Sequence, residues 1–370
     1  MSEQSALRRG WSTGACAAAA ARAAYGAMLT GAFPDPVSIR LPGGEEPRFA
    51  LALREFTAAG ARAGIVKDAG DDPDVTHGAL IIAELRRNPP GAGLTFHAGE
   101  GVGTVTRPGL PLAVGEPAIN PGPRAMIGAA LAAAQRDAGV AGPLDLAVTV
   151  AIPGGAALAG KTMNGRLGIV GGLSVLGTTG IVIPYSCSSW IHAIHRGVDV
   201  ARAAGLSHIA AATGTMSERA VQQLLGLPEV ALIDMGDFVG ALLKYLRRHP
   251  VPRLTIAGGI GKLAKLAQGH LDLHSARSRL DSAALVAELA ADDLSADIRR
   301  QLGAAESAGA ILAALPAAAA ALLVQHIVDR AREAALATLA GEIAVDVMVF
   351  DRAGTLMARA PKGDMAALRP

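Results

Sequence analysis

The sequence predicts a two-domain α/β protein, an α+β unit over residues 1–185 followed by a parallel-sheet unit over residues 186–370. Three observations carry that expectation. Before Tyr185, short β-branched or alternating segments lie between Gly and Pro, the pattern of strands and turns. After it, apolar strands alternate with helical segments, which implies a parallel sheet covered on both faces. Finally, 370 residues with 51% hydrophobic composition are enough to bury a substantial core.

Taken in order, Ser12-Thr13-Gly14 precedes the alanine-rich run 15–24 and reads as the capped start of a first helix. Strands are predicted over 37–41, 49–53, 62–67, 80–85 and 94–97. A helix over 121–138 has Pro at its start, where the missing N–H costs nothing, and a strand follows at 144–152. The charge-free stretch 167–184 is broken by five glycines, so it reads as buried strand and turn and not as a membrane span. A helix over 188–204 leads to a strand at 208–212 and a turn at Thr213-Gly214. Thr215-x-x-Glu218 has the spacing of a capping box for the next helix. Further strands fall at 230–233, 254–257 and 343–350, and 309–323, interrupted by Pro316, reads as core helix. The second unit is thus Rossmann-like.

Composition excludes several classes. Aromatics at 3% argue against a base-stacking platform, and a net charge of +2 without a Lys/Arg block argues against a phosphate-backbone footprint. Neither nucleic acid nor membrane is an expected partner; an anionic ligand would meet a local pocket. Cys16 and Cys187, with no CxxC pair, exclude a disulfide framework and a self-contained cysteine zinc site. With no apolar stretch near Met1, the expected location is the cytoplasm.

The chemistry-bearing residues lie in glycine-rich loops. Asp68, Asp71, Asp72 and Asp74, with Gly70, Pro73 and His77, crowd like charges into one turn. By spacing alone this is a surface turn, a divalent-metal site, or a carboxylate with a raised pKa suited to proton transfer. Gly99-Glu100-Gly101-Val102-Gly103-Thr104 has the wrong spacing for a dinucleotide fingerprint and reads as a glycine-rich hairpin. Gly258-Gly259-Ile260-Gly261-Lys262 follows a strand and opens a helix. It lacks the spacing of a P-loop but suits an anion or adenosine at a βα turn. His192 with His195, and His270 with His274, share helical faces where helical, and read as surface or capping residues for want of a third ligand. Cys16 reads as a small buried residue.

Several stretches, in order, resemble the cobalt-precorrin-5B C(1)-methyltransferase family of oxygen-independent cobalamin biosynthesis. They are Gly10-Trp11-Ser12-Thr13-Gly14-Ala15-Cys16, the acidic run from Lys67 to Gly78, Gly99 to Thr106, Val114-Gly115-Glu116-Pro117-Ala118-Ile119-Asn120-Pro121, Arg166 to Gly172, Leu176-Gly177-Thr178-Thr179-Gly180 and Gly258 to Leu263. The likeness runs from near residue 8 to about 275. It departs at Trp11-Ser12, where Tyr-Thr is usual, and at Asp272-Leu273-His274-Ser275, where Asn-Thr-His-Ser is usual.

The resemblance implies a ribosomal-S5-domain-2-like first unit, a Rossmann-like second unit, and methyl transfer from S-adenosyl-L-methionine to carbon 1 of the macrocycle. Cobalt would be carried by the substrate, with no metal held by the protein. It further implies that Asp68, Asp71, Asp72 and His77 act in proton transfer or orientation. Arg107, Arg124, Lys161 and Arg166 would clamp the carboxylates of the cobalt-corrinoid. For the donor, strand-end spacing favours Thr213, Gly214, Thr215 and Asp234, with Gly258 and Gly259 at the next βα turn. A non-catalytic corrinoid-binding protein and a nucleotide-using α/β enzyme are the alternatives, and a homo-oligomer is left open.

Overall fold

The computed structural model describes residues 7–287, 300 and 302–363, and the chain divides into the units Met1–Cys187 and Ser188–Pro370. In the first unit, β1 (Leu53–Thr57), β2 (Gly60–Val66), β3 (Leu80–Arg87), β4 (Leu94–Ala98) and β5 (Leu146–Ala151) form one sheet in the order β1-β2-β3-β5-β4. All neighbours are antiparallel except β4 and β5. Helix α1 (Thr13–Thr30) packs on β2 and β3, with α2 (Pro121–Asp137) beside it. Alanine makes this possible: Ala15 to Ala21 are wholly buried, and their short side chains let the helix backbone approach Ala61, Ala63, Ile81 and Ala83. Ser12 caps α1 by accepting the Ala15 N–H at 3.1 Å, and Gly31 ends it in the left-handed conformation.

Some elements differ from expectation. The segments 37–41 and 49–53 shrink to the two-residue strands Val37–Ser38 and Arg48–Phe49, paired with each other. The longer strand β1 escapes the pattern because Arg54, Glu55 and Phe56 are all exposed at the sheet edge, which leaves no alternation to read. The glycine-rich segment 99–104 is not a hairpin. It leaves β4, turns, and pairs Thr104–Val105 with Ile169–Val170 in a separate ladder. The stretch 167–184 holds the short strands Ile169–Val170 and Ile181–Val182 between turns.

In the second unit, β6 (His208–Ala212), β7 (Leu232–Asp234), β8 (Arg253–Gly259), β9 (Ala344–Phe350) and β10 (Leu356–Ala360) run in the order β7-β6-β8-β9-β10. The first four are parallel and β10 is antiparallel. Alternate residues serve opposite faces. Ile209, Ala211, Leu254 and Ile256 meet helices α3 (Cys187–Ala203), α5 (Val239–Leu246), α6 (Ile260–Ala267) and α7 (Ala317–Leu339), whereas Ala210, Ala212 and Ala257 meet Val221 and Leu225 of α4 (Thr215–Leu225). Pro316 starts α7 instead of kinking a longer helix.

One local expectation fails here, and one condition is not met. Gly214, not Thr215, is the N-cap of α4, and no side chain caps it; Glu218 is buried instead of reaching back. His270 and His274 share no helical face, because α6 stops at Ala267 and Gly269 turns left-handed. No described helix is long and apolar enough to cross a membrane.

Candidate active site

The acidic run is the long connection of the β2–β3 hairpin. Its base is pinned by the Lys67 N–H to Ala79 O (2.9 Å) and the Gly78 N–H to Lys67 O (2.8 Å). The segment Arg8–Trp11 crosses the loop, with the Trp11 N–H on Asp68 O and the Asp71 N–H on Arg8 O. Two glycines permit the crossing: a Cβ on Gly10 would lie 2.0 Å from the Ala69 carbonyl carbon, and one on Gly70 would lie 2.1 Å from Arg8 O.

Each aspartate already has partners. Asp68 pairs with the Arg8 guanidinium and accepts the Gly70 N–H, which together hold its carboxyl below the ordinary value. Asp71 Oδ2 accepts the Arg8 N–H at 2.6 Å, and Asp72 Oδ1 accepts the Tyr185 N–H at 2.8 Å. Asp74 pairs with Lys67, whose side chain is only 2% exposed and also donates to Thr76 Oγ1 at 2.5 Å. Burial pushes Asp74 up, but Lys67 and Thr76 outweigh it and leave its pKa lowered. Among the described residues no three His, Cys, Asp or Glu side chains gather as a metal site.

His77, 53% exposed, accepts the Ala69 N–H at Nδ1 (3.2 Å). A neutral ring with Nδ1 as acceptor carries its proton on Nε2, so His77 presents a donor outward. Cys16, fully buried, has its thiol pushed up to about 12 by that burial, and is inert.

The four basic residues separate into two groups. Arg107 is exposed, packs its stem on Gly168, and donates to Arg166 O at 3.4 Å, so Arg107 and Arg166 occupy adjoining loops. Lys161 is exposed on the turn before Arg166. Arg124 is committed inward: it donates to Ile119 O (2.7 Å) and Glu116 Oε2 (3.0 Å) and lies 5.2 Å from the Phe96 ring centroid.

In the second unit, strand order reverses between β6 and β8, since β7 lies to one side of β6 and β8 to the other. Ligands of open α/β sheets bind outside the carboxyl ends of strands at such a point. Thr213-Gly214-Thr215 and Gly258-Gly259 end those two strands. A Cβ on Gly258 would meet Thr213 Oγ1 at 2.8 Å, whereas Gly214, Gly259 and Gly261 face open space. Both α4 and α6 start there without a side-chain cap, leaving backbone N–H groups outward. Asp234 ends β7, and Trp190 Nε1 donates to its carbonyl at 3.0 Å. Lys262 turns away, pairing with Asp237 and reaching Leu273 O, so it cannot serve as a P-loop lysine.

Sequence reasoning missed Arg8, Lys67, Tyr185 and Trp190. Lys67 and Tyr185 border segments that had been singled out, but only tertiary contact gives either residue a role. Asp272 is a turn cap, accepting the His274 N–H and pairing with Arg277. His195 stacks on Tyr245 at 3.9 Å between ring centroids.

Fold and site together define a mixed α/β protein with one loop dense in paired charges and one sheet edge of bare backbone. A family model described as CbiD matches residues 1–184, and one described as CbiD, C-terminal domain, matches residues 272–361. The cobalt-precorrin-5B C(1)-methyltransferase of Paramagnetospirillum magneticum is 57% identical over 96% of this chain and 99% of its own. That of a Bradyrhizobium species is 55% identical over 98% of this chain and 96% of its own. A 1.9 Å crystal structure of a cobalamin biosynthesis protein (cbiD) from Archaeoglobus fulgidus is 27% identical, covering 73% of this chain and 83% of that one at a TM-score of 0.40. The chain belongs to the CbiD family.

Proposed function

We propose that this protein is an enzyme that transfers a methyl group from S-adenosyl-L-methionine to carbon 1 of cobalt-precorrin-5B, giving cobalt-precorrin-6A in cobalamin biosynthesis. The observation that carries this is identity above half, over nearly the full length, with relatives named for that methylation. In this reading residues 1–185 form a ribosomal-S5-domain-2-like domain that holds the macrocycle. Residues 186–370 form a Rossmann-like domain that holds the donor, and the enzyme works in the cytoplasm.

The sulfonium supplies an already activated methyl group, so the protein's task is to position the reactants and exclude water. Gly214 and Gly259 offer open space at uncapped helix starts, with Thr213, Thr215 and Gly258 beside them, a combination that fits a small polar donor. Asp234 faces its ribose hydroxyls by the logic of dinucleotide folds. Arg107, Arg166 and Lys161 bind carboxylates of the macrocycle, and Arg124 stiffens the loop before α2.

Within the acidic loop, Asp68 and Asp74 have lowered pKa values and are poor proton acceptors. Asp71 and Asp72 each keep one oxygen without a hydrogen bond among the described residues, so these are the oxygens offered to the substrate for orientation or proton transfer. His77 donates from Nε2 to orient the substrate. Cobalt arrives inside the macrocycle.

The test is anaerobic incubation with cobalt-precorrin-5B and S-adenosyl-L-methionine, read by mass spectrometry. One added methyl group, dependent on donor, is expected. An unchanged mass with authentic substrate overturns the proposal.

A further inference from the structure

Tyr185 has a backbone that its residue type does not favour. Its φ is +57°, in the left-handed region, where only one other non-glycine residue, Ala340, is found among the described residues. A Cβ there crowds the following carbonyl oxygen, so single residues stay in this conformation only when their surroundings impose it. The imposing contact is visible. Asp72 Oδ1 accepts the Tyr185 N–H at 2.8 Å, across 113 residues of sequence. The strand Ile181–Val182, just upstream, pairs with Gly10–Trp11, and the Trp11 N–H bonds Asp68 O. Tyr185 is therefore tied to the acidic loop twice, once through Asp72 and once through the crossing segment.

What this strain presents is a side chain with no task in the fold. Among the three tyrosines, Tyr25 is buried at 3% exposure and Tyr245 donates its hydroxyl to Asp199. Tyr185 is 68% exposed, and its hydroxyl makes no hydrogen bond among the described residues. Ile183, two residues earlier, is 55% exposed, and Val75 of the acidic loop is 38% exposed. A loop of fixed charges thus carries an apolar margin, in a chain with only 3% aromatic residues.

We propose that Tyr185 is a substrate-contacting residue whose ring packs against the macrocycle beside the acidic loop, and that Asp72 fixes its backbone for that purpose. The inference rests on the reading that this loop meets the cobalt-corrinoid. A broad conjugated ligand gains dispersion and stacking from an aromatic face, whereas its carboxylates are served by the basic loops. Asp72 then acts in part as a positioning residue through Tyr185.

The experiment compares wild type with Tyr185→Phe, Tyr185→Leu, Tyr185→Gly and Asp72→Ala. The readouts are corrinoid titration by absorbance without donor, kcat and KM at saturating donor, and thermal melting. Phenylalanine is expected to keep corrinoid affinity within about twofold, and leucine and glycine to weaken it by about tenfold with kcat nearly unchanged. The glycine variant is expected to melt no lower than wild type, because glycine accepts the left-handed backbone without strain. Asp72→Ala with Tyr185→Leu should weaken binding less than the two single effects combined.

Wild-type affinity in the leucine variant overturns the proposal, as does a phenylalanine variant as weak as leucine. These outcomes are read against a wild-type enzyme that methylates the substrate. Failure of that wild-type reaction removes the proposed function itself, and the two failures are distinguishable.

Discussion

The two loop systems differ in what they offer a ligand. In the first unit, helix α1 begins under a Ser12 cap, and the acidic loop has its aspartates paired with Arg8, Lys67 and backbone N–H groups. In the second, α4 and α6 begin on Gly214 and Gly259 with no cap. A side-chain cap satisfies one of a helix's orphan donors, whereas an uncapped start leaves it to water or a ligand. Under the proposed function, the first unit would meet a large, many-carboxylate substrate through positioned side chains and the second would meet a small donor through backbone.

The largest expected effect comes from breaking the buried pair beneath the acidic loop. Lys67→Met removes a cation that is 2% exposed and leaves Asp74 without its partner. Loss of one member of such a pair costs about 3 kcal/mol, taken at the low end because Asp74 is a quarter exposed. Urea denaturation should show this in the first unit's transition, and Asp74→Asn added to Lys67→Met should recover part of it. An unchanged midpoint would mean the loop is held by its backbone bonds alone.

Gly259→Ser sets the two kinds of helix start against each other directly. Gly259 has φ −79° and ψ 158°, an extended conformation that serine adopts, and a Cβ there meets nothing within 4 Å. Serine would cap α6 and raise stability by a few tenths of a kcal/mol. It would also occupy donors that the proposal gives to S-adenosyl-L-methionine, so donor affinity should fall about tenfold, or about 1.4 kcal/mol. Calorimetry with donor alone checks this. Unaltered affinity would move the donor away from α6.

Ser12→Ala is the reciprocal change. It removes the cap of α1 and should cost about 1 kcal/mol without altering donor affinity. Chemical denaturation and the same calorimetry read both halves of that expectation.

The smallest effect distinguishes the buried carboxylates by pH. Asp74 has a lowered pKa, so its contribution is present above the unfolded value of about 3.9 and is lost as pH falls through its folded value. Asp346, 3% exposed beside Arg253, has its pKa raised by burial, which outweighs the arginines Arg253, Arg359 and Arg332. Its sign is opposite: the second unit loses stability as pH rises from about 4 through the folded value of Asp346. Relative to Asp346→Asn, wild type should therefore weaken as pH rises over that window, measured by urea midpoints. A difference that does not vary with pH would mean that Arg253 compensates Asp346 fully.

Much of this architecture is legible in the residues. The strand at 208–212 agrees to the residue with His208–Ala212, and the helix at 121–138 agrees within one residue with Pro121–Asp137, because apolar runs and a leading proline are local signals. Edge strands were not legible. Leu53–Thr57 exposes its middle residues, and Leu356–Ala360 depends on a turn in which Asp351 accepts two backbone N–H groups. The spacing Thr215-x-x-Glu218 was misleading because N-capping depends on which residue leaves the helix, and the chain leaves at Gly214.

The acidic loop divides in the same way. Its composition by itself established a crowded, charged turn, and its resemblance to one family gave the chemistry to expect. Which partner each aspartate holds was decided only by tertiary structure. Arg8 is 60 residues from Asp68, and Tyr185 is 113 from Asp72. No local rule reads contacts at such separations, since they form only when β2, β3 and the crossing segment Arg8–Trp11 have packed. The pairings hold the carboxyls of Asp68 and Asp74 below the ordinary value and leave one oxygen each of Asp71 and Asp72 without a hydrogen bond among the described residues.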